Sequence, residues 1–313
     1  MPRRGRLLIL GLPYFGRMLA DSLGGEGWDA RYAPHPGRSP AGWLQLAPQV
    51  ARAGVIYVIG GQLGKGSPHD LVMRIRRKPV VMHWVGTDVQ RALQAHDRGD
   101  ISARLAENAI HWCDAPWLVD ELRSIGVRSE HVPLPIPGLA GPPPPLPERF
   151  RVLLYLPAEA PYRRVFDVET LLRLPGEFPG IEFIEVPSPP DAIPGPLPPN
   201  LKALAWVEDM DALYREVAVY IRATLHDGMS FMAVEALARG RHVIWSYPLP
   251  GAIHASGFDA VAAALRDLAA RHAAGTLELN TEGRSYVLEH FDPERLTHEL
   301  DQRLAALVSG QSS

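Results

Sequence analysis

The chain has 313 residues, of which 46% are hydrophobic and 21% charged, with a formal net charge of -3. That length exceeds what one hydrophobic core usually organises, so two domains are expected. The charge balance lacks the basic surplus of a nucleic-acid binder, which excludes nucleic acid as a partner. The single cysteine, Cys113, rules out an internal disulfide framework and a cysteine-based zinc site. It suits a reducing compartment, and a cytoplasmic location is expected.

After a basic start the chain enters a short apolar run at 7–12, which Pro13, Tyr14 and Arg17 break. The run is too short for a signal peptide and reads as a first buried strand. No stretch approaches the roughly 20 apolar residues of a membrane span. Apolar segments predict strands at 6–11, 29–32, 55–59, 79–83, 109–112 and 130–132. Helical patterns fall between them near 14–24, 40–52, 67–77, 87–95, 99–107 and 115–125. Continuous apolar strands alternating with helices imply a parallel sheet covered on both faces.

The 31 prolines cluster at 133–147 and 187–199. Proline cannot continue a helix or a central strand, so the first cluster marks a domain boundary and both read as semi-rigid connections. The α/β rhythm then restarts, with strands expected at 151–156, 181–186, 201–205, 217–222 and 242–245. Helices follow at 165–174, 208–216, 229–239 and 258–273, and a last one at 293–308, where Asp292-Pro293 supplies an N-cap and a first-turn proline. The expected organisation is an N-terminal Rossmann-like domain over 1–133, a linker over 134–150 and a second Rossmann-like domain over 151–290. The segment 291–313 would return to the first domain. Two such units would face each other across a cleft at the carboxyl ends of their strands, where open α/β sheets bind ligands.

The most informative stretch runs from Leu225 to Gly240. A strand ends near Arg222, a tight loop follows, and a helix begins near Met229. Gly228 would permit close backbone approach or positive φ. The first helical turn, Met229, Ser230 and Phe231, would offer N–H groups to an anion such as phosphate. Glu235 sits among Phe231, Met232, Val234, Leu237 and Ala238, so its carboxylate needs a partner. Sugar hydroxyls would serve, and so would an i,i+4 pair with Arg239.

Asp227 and Glu235 are separated by seven residues and followed by Ala-Leu-Ala-Arg-Gly. This pattern resembles the Glu-x7-Glu motif of the retaining GT-B glycosyltransferases, the class of glycogen and sucrose synthases, with Asp in place of the first Glu. The segment from Asn200 through Tyr214 resembles the same family, in which a short helix there borders the nucleotide base. The resemblance implies that Asp227, Gly228, Met229, Ser230 and Phe231 face the donor sugar and diphosphate, and that Glu235 holds the ribose. It also implies roles for His83 at a strand end facing the donor sugar, and for Gly16 in the first loop beside the diphosphate. The family's Gly-Arg after the first strand of the second domain reads Leu156-Pro157 here, and Arg164 aligns with a later Lys. Arg163 and Arg164 would then neutralise the leaving diphosphate.

For His83 the alternative is a packed core histidine, for Arg163 and Arg164 a solvated surface pair, and for Asp88 a helix cap rather than a base. The first loop lacks G-x-G-x-x-G, so no dinucleotide cofactor is expected, and no pair of histidines has metal-binding spacing. The run Arg74, Arg76, Arg77, Lys78 is either a weak peripheral contact with anionic lipid or a solvated helix end.

The resemblance implies a compact, divergent, metal-independent hexosyltransferase without cofactor. It would use a UDP-, GDP- or ADP-sugar and a hydroxyl acceptor, with retention at the anomeric carbon. A non-catalytic binder of nucleotide sugars or of a partner protein, and a nucleotide-sugar epimerase, are the alternatives.

Overall fold

The computed structural model describes residues 4–37, 39–76, 78–157 and 159–310. The chain divides into two compact units. The first runs to Pro135 and resumes at Pro293; the second is Ile136–Asp292.

In the first unit the strands are β1 (Gly5–Gly11), β2 (Trp28–Pro34), β3 (Val55–Ile59), β4 (Val80–Trp84), β5 (Ile110–Cys113) and β6 (Glu130–His131). They form one parallel sheet in the order β2-β1-β3-β4-β5-β6. The crossovers are α1 (Pro13–Gly25), α2 (Pro40–Arg52), α3 (Pro68–Arg76), α4 (Thr87–Asp97), α5 (Ala103–Asn108) and α6 (Pro116–Ser124). Every residue of β3 and β4 is buried, which explains their unbroken apolar sequences. Several helices start on proline, whose missing N–H costs nothing in the first turn. Ser39 and Ser102 cap α2 and α5 by accepting from Gly42 N and Leu105 N.

The second unit repeats the plan with β7 (Arg151–Tyr155), β8 (Glu182–Val186), β9 (Leu201–Ala203), β10 (Val219–Arg222), β11 (His242–Trp245) and β12 (Ala252–His254). The parallel order is β12-β11-β10-β7-β8-β9. Its helices are α7 (Ala160–Arg163), α8 (Val168–Glu177), α9 (Met210–Glu216), α10 (Phe231–Ala238), α11 (Phe258–Ala273) and α12 (Thr281–His290). Sequence patterning misses β12, a three-residue strand just after Pro248-Leu249-Pro250-Gly251, and α12, a largely polar helix with Gly283 in its first turn.

The proline-rich stretch after Pro135 belongs to the second unit. Proline supplies carbonyls but no N–H, so donors must come from elsewhere. Arg241, fully buried, donates to Pro144 O and Pro145 O; Arg284 donates to Gly141 O and Arg239 to Gly138 O. His272 Nε2 lies 2.9 Å from Pro147 O. Side chains fasten this segment onto its unit along its length.

The last helix, α13 (Pro293–Ser309), lies in the first unit. Its Asp301 is fully buried and accepts from Arg4 Nη2 and Trp28 Nε1, both at 2.9 Å. Arg303 pairs with Glu130 at 2.7 Å.

Of the basic run, Arg77 and the side chains of Arg74 and Arg76 lie outside the described residues. Lys78 turns inward: its Nζ donates to Val50 O, Ala51 O and Ala53 O at the end of α2, where carbonyls lack helical partners. Lys78 is therefore a helix C-terminal clasp and not part of a lipid-facing patch. Among the described residues no helix is long and apolar enough to cross a membrane.

Replacing Asp301 with Ala strands the buried Trp28 N–H. It should cost about 2–3 kcal/mol of stability in urea unfolding, with most of the loss reported by the first unit. A change below about 0.5 kcal/mol would show that α13 is held by apolar packing alone.

Candidate functional site

The residues expected to carry chemistry fall on both units. In the second unit the carboxyl edge of the sheet brings most of them together. β10 ends at Arg222, and the chain runs through Thr224, Leu225 and His226 to Asp227, then into α10. Three bonds pin this loop: Thr224 N to Ser246 Oγ at 2.9 Å, Asp227 N to Tyr247 Oη at 3.3 Å, and Leu225 N to Val165 O at 2.7 Å. The last of these sets Arg163 and Arg164, at the end of α7, beside the loop.

The helix begins at Phe231, two residues later than expected. Ser230 is its N-cap, with Oγ accepting from Ala233 N at 3.2 Å. Met229, Ser230 and Phe231 are buried. Gly228 does not adopt a positive φ, so any need for glycine there comes from close approach and not from backbone conformation.

Asp227 is held by the protein on both of its oxygens. Its Oδ2 and Oδ1 accept from Arg222 Nε and Nη2 at 2.5 and 2.8 Å, and Trp245 Nε1 reaches Oδ2 at 3.2 Å. Only 11% of the Arg222 side chain and 8% of the Asp227 side chain are exposed. The Arg222 guanidinium also lies over the rings of Tyr155 and Phe166, at 5.2 and 4.9 Å from their centroids. The carboxylate expected to meet the donor is thus held by an arginine that patterning did not single out. The available signal was a cation ending the otherwise apolar strand 219–222.

Glu235, half-buried on α10, accepts from Tyr214 Oη at 2.8 Å. Burial raises its pKa, while Tyr214 and Arg239 pull it down. The alternative i,i+4 bridge does not form, because Arg239 turns to Asp211 and Gly138 O. Tyr214 belongs to α9, so the two segments of the motif resemblance meet through this bond.

Arg163 is half-buried and donates to Ala192 O at 2.8 Å, in the second proline-rich segment, while Arg164 is exposed. Neither is simply a solvated surface pair: one braces a loop and the other faces solvent.

One buried acid escaped the sequence reading. Glu185, at zero exposure on β8, accepts from Ser188 N at 2.9 Å through Oε1, and its Oε2 has no partner among the described residues. Burial pushes its pKa up to about 7, against the Ser188 N–H.

In the first unit, His83 is fully buried on β4. Its Nδ1 pairs with the Tyr57 hydroxyl, and its ring packs edge-on against Trp112. Burial lowers its pKa to about 3, so it stays neutral. The ring has no exposed surface, which is the packing that the core-histidine alternative describes. Gly16 is not in a loop, because α1 already starts at Pro13. A Cβ at Gly16 would sit 2.4 Å from the Tyr32 ring, so glycine is required there for packing. Gly86 is the N-cap residue of α4, and Asp88, one residue into the helix, satisfies a first-turn donor: its Oδ1 accepts from Val89 N at 3.1 Å. The same carboxylate accepts from Gly61 N at 2.7 Å and Val85 N at 3.1 Å, joining the loops after β3 and β4. Burial raises its pKa to about 6, against those N–H donors. These loops line a cavity of about 560 Å³, with Gly11, Tyr32, His35, Gly61, Asp88 and Arg91 on its wall.

Among the described residues, one trio has metal-ligand proximity: Glu26, His298 and Asp301. Asp301 there is already the acceptor for Arg4 and Trp28.

No protein-family model matches the chain, and no curated protein matches its sequence. Its backbone, by contrast, superposes on solved structures over nearly its full length. Sucrose-phosphate synthase from Thermosynechococcus elongatus matches with a TM-score of 0.73 at 15% identity, over 97% of this chain and 100% of that one. A glycosyltransferase from Rickettsia africae gives 0.70 at 10% identity, over all of both chains. The fold is that of the GT-B glycosyltransferases. Anabaena HepE, solved with UDP and glucose, gives 0.66 at 11% identity, over 96% of this chain and 100% of that one. These GT-B neighbours share the two six-stranded parallel sheets; at such identities the likeness shows the fold alone.

The Glu185 carboxyl yields a pH prediction. Its folded pKa near 7 lies above the ordinary 4.5. Its contribution to stability is therefore full below the unfolded pKa and is lost as pH rises through the folded one. Glu185→Gln removes this dependence. The stability of the variant relative to the parent should rise steadily between pH 4.5 and 7 and level off above. A difference independent of pH would mean that Glu185 titrates alike in the folded and unfolded chains.

Proposed function

We propose that the chain is a glycosyltransferase that moves a hexosyl group from a nucleoside diphosphate sugar to a hydroxyl acceptor, with retention and without a metal ion. The observation that carries this reading is Glu235. It is a half-buried carboxylate on the helix that follows the β10 loop, held on one oxygen by Tyr214 and on a fold whose neighbour HepE binds UDP and glucose. A carboxylate with one oxygen fixed and the other lone pairs remaining suits the two hydroxyls of a ribose.

In this reading the nucleotide lies along α9 and α10. The diphosphate meets the loop 227–231, where the dipole of α10 favours negative charge. Catalysis then consists of orienting donor and acceptor and stabilising the departing diphosphate; no protein nucleophile is required. Arg164, exposed beside the loop, supplies charge there. His83 takes no part, being sealed in the core. The cavity of the first unit is the place for the acceptor. A cytoplasmic setting fits the buried free thiol, whose pKa burial raises to about 12.

One observation favours a second reading, a non-catalytic nucleotide-sugar binder: both oxygens of Asp227 are already occupied. Turnover of a bound donor separates the two.

The test is thermal unfolding with UDP, GDP and ADP. A nucleotide that binds the native state at ~100 times its Kd should raise Tm by roughly 5–10 °C. Glu235→Ala should abolish that rise while keeping the far-UV spectrum. An equal rise in the variant would remove Glu235 from the site, and no rise with any nucleotide would remove the transferase reading.

A further inference from the structure

The transferase reading leaves the diphosphate short of cations. The position after β7 expected to carry Gly-Arg is Leu156-Pro157, and Arg163 is partly committed to Ala192 O. Yet the carboxyl edge of the same sheet holds another guanidinium, that of Arg222 on the central strand β10.

The way Arg222 is held is informative. Nε and Nη2 form one edge of the planar fork, and that edge is spent on Asp227. Nη1 lies 3.4 Å from Tyr220 Oη. Three of the five N–H donors of an arginine are thereby used, and the two left over, one on Nη1 and one on Nη2, meet no protein acceptor among the described residues. Tyr155 and Phe166 fix the plane of the fork. Three residues beyond Asp227, Ser230 starts α10, so the positive end of that helix follows the same loop.

Burying an ion pair adds little stability, because desolvation offsets the attraction, and an apolar side chain could end β10 at least as well. A carboxylate that grips one edge of a guanidinium does something an apolar residue cannot. It aims the other edge, which matches two phosphate oxygens.

We propose that Arg222 binds the diphosphate of the donor through its outer Nη1–Nη2 edge, and that Asp227 is the positioning residue that holds the fork in place. This rests on the transferase reading. It gives Asp227 a role distinct from contact with the donor sugar and supplies the cation that Leu156-Pro157 does not.

The experiment is calorimetric titration with inorganic pyrophosphate, which probes the phosphate subsite independently of base and sugar. The parent protein should bind it. The double variant Arg222→Gln/Asp227→Asn leaves no unpaired buried charge. It should bind pyrophosphate about tenfold more weakly or worse, with unchanged affinity for the free nucleoside of whichever nucleotide raises Tm. Arg222→Lys keeps the charge against Asp227 but loses the fork, and should bind about fivefold more weakly. If the double variant does not fold, Arg222→Lys decides. Affinities within twofold of the parent overturn the assignment, as does a parent protein that does not bind pyrophosphate. An equal loss for nucleoside and pyrophosphate overturns it too, because the pair would then be structural only. A nucleotide-dependent rise in Tm that requires Glu235, together with any of these failures, sinks the Arg222 assignment alone. No rise with any nucleotide sinks the reading on which it rests.

Discussion

A parallel strand covered on both faces has no solvent side, and both units are built on such strands. Any polar side chain in them must find a partner within the protein. Tyr57 answers His83, Ser188 N answers one oxygen of Glu185, and Asp227 answers Arg222. The consequence is spatial sorting. Groups in mid-sheet are partnered within the protein on at least one atom, and polar chemistry is pushed to the carboxyl edge, where loops end and helices begin. The candidate site of the second unit lies along that edge because the interior of the sheet cannot hold it.

The prolines pose the opposite problem, with carbonyls in excess and N–H groups missing. Arginines resolve it. Arg239, Arg241 and Arg284 tie the segment after Pro135 to the second unit, and Arg163 does the same for the segment after β8. A segment that composition describes as a spacer is in fact stitched down by long side chains. The same economy governs Lys78 at the end of α2. Several cations of this protein serve as hydrogen-bond donors to backbone rather than as surface charge, so counting charges overstates what remains for a ligand.

This bears on function. Of the groups expected to meet a diphosphate, Arg163 and Asp227 are each engaged by the protein, while Glu235 is held by Tyr214, a partner that the motif spacing did not indicate. In the proposed reading Glu235 keeps the expected place at the ribose, and Arg222 takes the place at the diphosphate that Leu156-Pro157 leaves without a cation. A site altered in this way would fit a chain that has the GT-B fold yet matches no family model in sequence.

Local pattern by itself determined the alternation of strands and helices and the restart after the prolines. Both are written in residues near one another in the chain: apolar runs and proline punctuation. The tertiary structure alone decided the fate of individual polar groups. That Gly16 makes room for Tyr32, that Asp88 bridges two loops, that His83 is sealed beside Trp112, and that Arg222 claims Asp227 all depend on strands brought side by side by crossovers. More than twenty residues separate Asp88 from Gly61 and His83 from Trp112, and sequence periodicity reports which face a residue occupies but not which neighbour waits there. Arg222 and Asp227 are close in sequence and were still missed. Their bond depends on the path of the loop between them, which Ser246, Tyr247 and Val165 set from elsewhere in the fold.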